Sequence, residues 1–172
     1  MYNVNPLLPD TLFKLDQINL DKFSESFTFD YYLYYLKNHS EDCYYVSNST
    51  GTPIGYVLSK LECNNKSERI FNNHLSAISV SPSYRRYRLG SLLMDILENN
   101  GILYNCKYVD LFVRVSNKTG LNFYSRLGYV VYRRIFGYYN DEEDAYDMRK
   151  SLIHDPNKEY MKRGEDTDVN YL

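Results

Sequence analysis

Ser79-Val80-Ser81-Pro82-Ser83-Tyr84-Arg85-Arg86-Tyr87-Arg88-Leu89-Gly90-Ser91-Leu92-Leu93-Met94-Asp95-Ile96-Leu97-Glu98 opens as the end of an apolar strand, breaks at Pro82, turns through a basic segment and runs into a helix. Leu89, Leu92, Leu93, Ile96 and Leu97 follow helical spacing, so one face of that helix is apolar and packs on a sheet. The backbone N–H groups at the helix start have no intrahelical acceptor, and the helix dipole adds partial positive charge there. An anion belongs at that spot. Arg85, Arg86 and Arg88 add side-chain charge, and Gly90 lets a ligand approach the backbone, which makes a pyrophosphate a natural guest; a solvated basic cap is the bland alternative.

Upstream of this unit, His74-Leu75-Ser76-Ala77-Ile78-Ser79-Val80 reads as its strand, with His74 and Ser76 on one face at a period of two. Polar residues on a buried strand need a reason, either a structural hydrogen bond or contact with a substrate lying across the strand. Further upstream, Asp10 is a candidate N-cap for a first helix using Leu12, Phe13, Leu15 and Ile18. A loop through Glu25 and Phe27 follows, and then a second helix from Asp30 to Asn38, rich in tyrosine. That aromatic helix can wall a groove, face a partner protein or lie in the core. Tyr44-Tyr45-Val46 and Ile54 to Leu61 read as strands around a turn at 49–53.

Downstream, Gly101 ends the helical pattern, and Tyr108 to Val115 reads as a buried central strand. Residues 116–129 form a second strand-end, helix and glycine stop, with Gly128 at the left-handed closing position. Val130 to Tyr139 is a long strand and Ala145 to Lys150 a short final one. The acidic turn between them, 140–144, reads as a solvated hairpin loop. Residues 1–152 are expected to form one domain, and the charged residues 153–172 a loosely held tail. Strands flanking two helices with hairpins before and after give an α/β layer: a mixed sheet flanked by helices.

The composition narrows the function. At 172 residues, 44% hydrophobic and 24% charged, the chain suits a single soluble globular domain. A formal net charge of −2 argues against general nucleic-acid binding. Cys43, Cys63 and Cys106 lie far apart, and so do the three histidines, so no metal site or disulfide framework is expected. No stretch has the length of a membrane span or the pattern of a signal peptide, and a cytoplasmic location is the default expectation.

The Arg85 to Gly90 loop resembles the acyl-CoA-binding motif of the GNAT acetyltransferases, with Arg88 standing where a first glycine is expected. It fits if Arg88 keeps helical dihedrals and points outward. The segment from Asn117 to Tyr129 resembles the second GNAT signature, an Asn after a strand and a Tyr on the following helix. The resemblance narrows further. Asp110-Leu111-Phe112-Val113-Arg114-Val115-Ser116-Asn117, Leu127-Gly128-Tyr129, Gly137-Tyr138-Tyr139 and Asp144-Ala145-Tyr146-Asp147-Met148-Arg149-Lys150 are similar to the catalytic-subunit family of NatB N-terminal acetyltransferases.

That resemblance implies the GNAT acyl-CoA N-acyltransferase fold and acetyl transfer from acetyl-CoA to the α-amino group of nascent chains starting Met-Asp, Met-Glu, Met-Asn or Met-Gln. It assigns Ser79, Val80, Arg85, Arg86, Tyr87, Arg88, Leu89, Gly90, Ser91, Asn117 and Asn122 to acetyl-CoA. Tyr124 would donate to the departing thiolate, and His74 with Ser76 would read the second residue of the substrate. Glu25, Phe27, Tyr138 and Tyr139 would line the peptide groove. The implied partners are a large helical auxiliary subunit, which docks the enzyme on the ribosome, and the nascent polypeptide itself. A sibling GNAT enzyme acting on other N-termini or lysines, or a non-catalytic acetyl-CoA-binding module, remain the alternatives.

Overall fold

A computed structural model describes residues 2–15, 18–19, 27–65, 69–140 and 142–171. The strands are β1 (Asn3–Pro6), β2 (Cys43–Ser47), β3 (Pro53–Asn65), β4 (Ile70–Val80), β5 (Tyr108–Arg114), β6 (Val130–Tyr139), β7 (Glu143–Ser151) and β8 (Thr167–Asp168). The helices are α1 (Pro9–Leu12), α2 (Phe29–Asn38), α3 (Leu89–Leu103) and α4 (Lys118–Arg126). The strands form one mixed sheet in the order β1-β2-β3-β4-β5-β7-β6-β8. Two compact units divide the chain: Met1–Leu61 with Leu75–Asn100, and Glu62–His74 with Gly101–Leu172.

In the first unit, β1, β2 and the first part of β3 pair antiparallel. Strand β1 escapes a reading of the sequence because Asn3-Val4-Asn5-Pro6 has no strand composition of its own; its register against Cys43–Ser47 supplies the structure. Helix α1 is shorter than expected and carries Pro9 at its first position, with no side-chain cap, so Asp10 is not the N-cap. Leu12, Leu15 and Ile18 are nonetheless buried with Leu7, Tyr32, Tyr35, Cys43, Tyr56 and Leu58 in one apolar cluster. Phe13, counted as an apolar core position, is 76% exposed. Helix α2 starts on Thr28, whose Oγ1 accepts from the Tyr31 amide. Tyr32 and Tyr35 turn inward, and a buried hydrogen-bonded triangle of Tyr32, Tyr56 and Asn19 satisfies two of the hydroxyls.

In the second unit, β7 pairs antiparallel with β5 on one side and β6 on the other. Strand β5 is buried along most of its length, as an apolar run between two neighbours must be. Helix α3 runs through Gly101 instead of stopping there. A Cβ at Gly101 would meet Leu152 Cδ1 at 2.8 Å, so this glycine serves close packing, not termination. Gly128, at φ +92°, does close α4 as expected. The C-terminal residues make contacts of their own. Buried Asp155 accepts from the Ser151 hydroxyl and the Glu159 and Tyr160 amides, and Tyr160 stacks on Tyr108 with ring centres 4.8 Å apart. The chain then lays Gly164 against Tyr132, and β8 pairs parallel with β6.

Candidate active site

The anion loop lies in the first unit. Its strand, β4, ends at Val80, whose carbonyl accepts from Arg85 Nε at 3.1 Å, and Ser81 N–H donates to Ile54 O. These bonds fix the strand end of the loop while residues 85–88 stay exposed. The backbone amides from Arg86 through Ser91 donate to none of the described residues. Arg86 and Arg88 lie at φ +69° and +63°, in the left-handed region. Left-handed residues interspersed along a turn aim successive N–H groups into one concavity, the arrangement that holds phosphates.

This corrects one expectation. Arg88 does not keep helical dihedrals: it occupies the region a glycine would fill, so the departure from the motif keeps the backbone shape and adds strain. Leu92 N–H donates to Arg88 O, which makes Arg88 the residue from which α3 begins. Leu89 is buried and anchors the helix, whereas Tyr87 is 63% exposed. Ser79 is also buried, its hydroxyl directed to Ile18 O at 3.4 Å, so only its backbone and that of Val80 can serve a ligand.

Also in the first unit, Ser76 Oγ accepts from the hydroxyl of Tyr35, which packs on Tyr31, which in turn stacks on Phe27 at 4.1 Å. Phe27, expected to line a groove, belongs to the margin of the core cluster. Glu25 lies outside the described residues.

The second unit holds the remaining candidates. His74 Nδ1 lies 2.8 Å from Asp110 Oδ2, a bond in which the imidazole donates and the carboxylate accepts. Asn72, fully buried, donates through Nδ2 to Asp110 Oδ1 at 2.7 Å and to Glu62 Oε2 at 3.2 Å. Burial pushes the Asp110 carboxyl up, but the charge and hydrogen bond of His74, with Asn72 and Arg149, win and hold it below the usual carboxylate range. Oxygens of Glu62 and Asp110 and a ring nitrogen of His74 come within 4.8 Å of one another. The Asn72 amide donates to both carboxylates where a cation would have to sit, so the group is a hydrogen-bonded network and a poor fit for a metal.

The Phe112 ring packs edge-on to both His74 and Tyr138, at 5.0 and 4.9 Å, and Tyr138 packs on Tyr139. Arg114 lies over the Tyr139 ring at 3.9 Å. Tyr138 and Tyr139 follow a bulge at Gly137, φ +65°, whose N–H donates to Asp144 Oδ1; Arg134 holds the other carboxylate oxygen. Glu143 accepts from Ser116 N–H and Arg114. The acidic turn is thus more than a solvated loop, because two of its carboxylates brace the strand end that carries the tyrosine pair.

Asn117 caps α4, its Oδ1 accepting from Gly120 N–H at 2.9 Å, which leaves Nδ2 to reach a ligand. Asn122 is exposed on the same helix. Tyr124 is half-buried, and its hydroxyl has no hydrogen-bond partner among the described residues. Burial pushes the Tyr124 phenol above its ordinary value. A phenol so placed keeps its proton near neutral pH and acts as a donor.

The residues that reading the sequence missed are Asp110, Asn72 and Glu62. The signal was present for one of them: Asp110 is a carboxylate inside an apolar strand, and a buried charge requires a partner.

Comparisons with known proteins agree with this geometry. A family model described as the acetyltransferase (GNAT) family matches residues 12–129. The N-terminal acetyltransferase B complex catalytic subunit naa20 of Schizosaccharomyces pombe is 40% identical over 157 residues, 88% of this chain and 86% of the relative. The crystal structure of Chaetomium thermophilum Naa20 in complex with a bisubstrate analogue superposes with a TM-score of 0.91 at 32% identity, covering 98% of this chain and 97% of that one. A NatB acetyltransferase complex bound to CoA and MES gives a TM-score of 0.79 at 35% identity, over 87% of this chain and 99% of that one.

Proposed function

This chain belongs to the GNAT acetyltransferase family, on its branch of NatB catalytic subunits, and from that premise we propose that it transfers acetyl from acetyl-CoA to the α-amino group of polypeptides that begin Met-Asp, Met-Glu, Met-Asn or Met-Gln. The observation that carries the reading is the run of amides from Arg86 through Ser91 that meet no acceptor among the described residues, bent by two left-handed residues into an anion cradle. The pyrophosphate of acetyl-CoA is matched to that cradle, with Arg85, Arg86 and Arg88 adding charge and Asn117 Nδ2 and Asn122 meeting the rest of the molecule. Because Arg88 adopts the dihedrals of the glycine it replaces, the sequence departure gives no support to a non-catalytic module.

The amine must be neutral to attack the thioester. An α-amino group with an ordinary pKa of about 7.7–8.0 is partly neutral already, so no dedicated base is required. Rate then comes mainly from holding amine and thioester within about 3.5 Å. As the tetrahedral intermediate collapses, the C–S bond breaks and Tyr124 gives its hydroxyl proton, or a hydrogen bond, to the departing thiolate. His74 and Ser76 meet the side chain of the second substrate residue, and Glu25, Phe27, Tyr138 and Tyr139 hold the peptide backbone and the initiator Met.

The chain works with an auxiliary subunit. A helical partner that docks the enzyme on the ribosome in the cytoplasm fits the exposed aromatic surface of α1 and α2, where Phe13 and Phe29 stack at 5.3 Å while 76% and 43% exposed. Rates on Met-Asp-, Met-Leu- and Ser-starting peptides test the assignment. Turnover confined to Met-Asp- is expected; equal rates on all three would replace it with a sibling N-terminal or lysine acetyltransferase.

A further inference from the structure

The anion cradle is costly to hold open without its ligand. Arg86 and Arg88 sit in the left-handed region, three arginines crowd residues 85–88, and the amides from Arg86 through Ser91 donate to none of the described residues. Each of these features favours a loop that turns away from the cradle shape. A strained loop keeps one conformation only when its surroundings over-determine it. Downstream, buried Leu89 and the bond from Leu92 N–H to Arg88 O tie it to α3. Upstream, a hold comes from the turn between β2 and β3, 36 positions away.

That turn, residues 48–52, is built around the side chain of Asn48. Its Oδ1 accepts from Thr50 N–H at 3.0 Å, from the Thr50 hydroxyl at 2.7 Å and from Thr52 N–H at 2.9 Å. The Asn48 backbone closes the same turn, donating to Thr52 O and accepting from Gly51 N–H. The donors that converge on Oδ1 fix the orientation of the amide, so its NH2 group faces the other way. From there Nδ2 donates to the Tyr84 hydroxyl at 3.2 Å. Tyr84 immediately precedes the arginines, and its own N–H donates to Ser81 O. Ser81 N–H in turn donates to Ile54 O, just past the same turn. The hairpin thus grips segment 81–84 by a backbone bond and a side-chain bond, the latter between two half-buried residues.

Resting on the acetyl-CoA reading above, we propose that Asn48 and Tyr84 are positioning residues: their hydrogen bond braces the anion loop against the β2–β3 turn and holds the cradle in its binding shape before acetyl-CoA arrives. The brace acts by keeping the competent loop populated, because apparent affinity falls in proportion to the fraction of molecules in that state. Its effect is confined to acetyl-CoA, and peptide affinity does not depend on it.

Tyr84→Phe keeps the ring and the whole Asn48 turn and removes one hydroxyl. In the full chain expressed with its auxiliary subunit, it is expected to weaken acetyl-CoA binding about three- to tenfold, the worth of one neutral hydrogen bond, in calorimetric Kd and in KM. At saturating acetyl-CoA, kcat and the peptide KM are expected to stay within about twofold of wild type. Asn48→Ala breaks the turn as well as the brace and is expected to lose at least as much affinity. Because both residues act through their shared bond, adding Tyr84→Phe to Asn48→Ala is expected to cost nothing further.

Unchanged acetyl-CoA affinity in Tyr84→Phe overturns the brace and leaves the acetyltransferase reading intact; a lowered melting temperature beside it makes the bond structural only. Losses that multiply in the double variant separate the two residues and overturn the brace as well, and so does a loss that falls equally on the peptide KM. Should Asn48→Ala not fold, Tyr84→Phe decides alone. Wild-type enzyme that binds no acetyl-CoA removes the acetyltransferase reading, and the brace with it.

Discussion

Tyr124 illustrates how one side chain acquires a task from its surroundings. Its hydroxyl has no partner among the described residues, and its phenol is pushed above the ordinary range by burial, so at neutral pH it holds a proton that none of them accepts. Tyr124→Phe keeps the ring packing on Phe123 and Tyr129 and removes only that donor. The expected outcome is a loss of kcat of about 100-fold or more with little change in acetyl-CoA affinity, read by steady-state kinetics and calorimetric titration. Arg88 makes the complementary point about the backbone. Its φ of +63° costs a non-glycine residue on the order of 1 kcal/mol. Arg88→Gly relieves that strain but frees the unfolded chain by a similar amount, so the melting temperature is expected to stay within about 3 °C. Arg88→Val, β-branched where branching is least tolerated, is expected to lower stability by roughly 1–2 kcal/mol in thermal melts without ligand.

At the scale of elements, the β6–β7 hairpin shows how an acidic turn supports a site without entering it. Asp144 receives the Gly137 amide at the bulge, and Glu143 receives Ser116 N–H and Arg114, so the strand end bearing Tyr138 and Tyr139 is held from two sides. Hydrogen bonds to the Gly137 amide and the Ser116 backbone and side chain are the chief reasons that both carboxyls titrate below their usual range. Carboxyls depressed in the folded state stabilise it fully above their unfolded values, about pH 4–4.5, and that contribution is lost as pH falls through the folded values. Hydrogen exchange of the Gly137 and Ser116 amides is therefore expected to be protected at pH 7 and to lose protection below about pH 4. Asp144→Asn is expected to raise the peptide KM several-fold while leaving that for acetyl-CoA unchanged, because only the hairpin loses its brace.

Across the whole molecule, the C-terminal segment and the aromatic face of α2 change what the chain can be expected to do by itself. Residues 153–171 carry few apolar side chains, but they are held by buried Asp155, by the Tyr160 stack on Tyr108 and by β8. A Cβ at Gly164 would fall on the Tyr132 ring, so Gly164→Ala is expected to lower stability by about 1–3 kcal/mol, a drop visible in thermal or urea melts. On the first unit, Phe13→Asp with Phe29→Asp is expected to abolish co-purification with the auxiliary subunit while leaving the circular dichroism of the chain unchanged, since both rings are largely exposed.

Much of this was legible along the chain. The helix period after Gly90, the β6 strand and the Gly128 stop are local matters, set by residue type and spacing over one or two turns, and a linear reading reaches them. The anion loop was visible for the same reason: it joins one strand to one helix.

What tertiary structure alone decided is who partners whom across long sequence separations. It gave β1 its register on β2, paired His74 with Asp110, placed Asn72 between two carboxylates, put Arg88 in a glycine's conformation and tied the charged C-terminus to β6. The physical reason is that buried charges and unpaired strand edges must be satisfied wherever the folded backbone brings a complement, and the order of residues along the chain does not state where that will be.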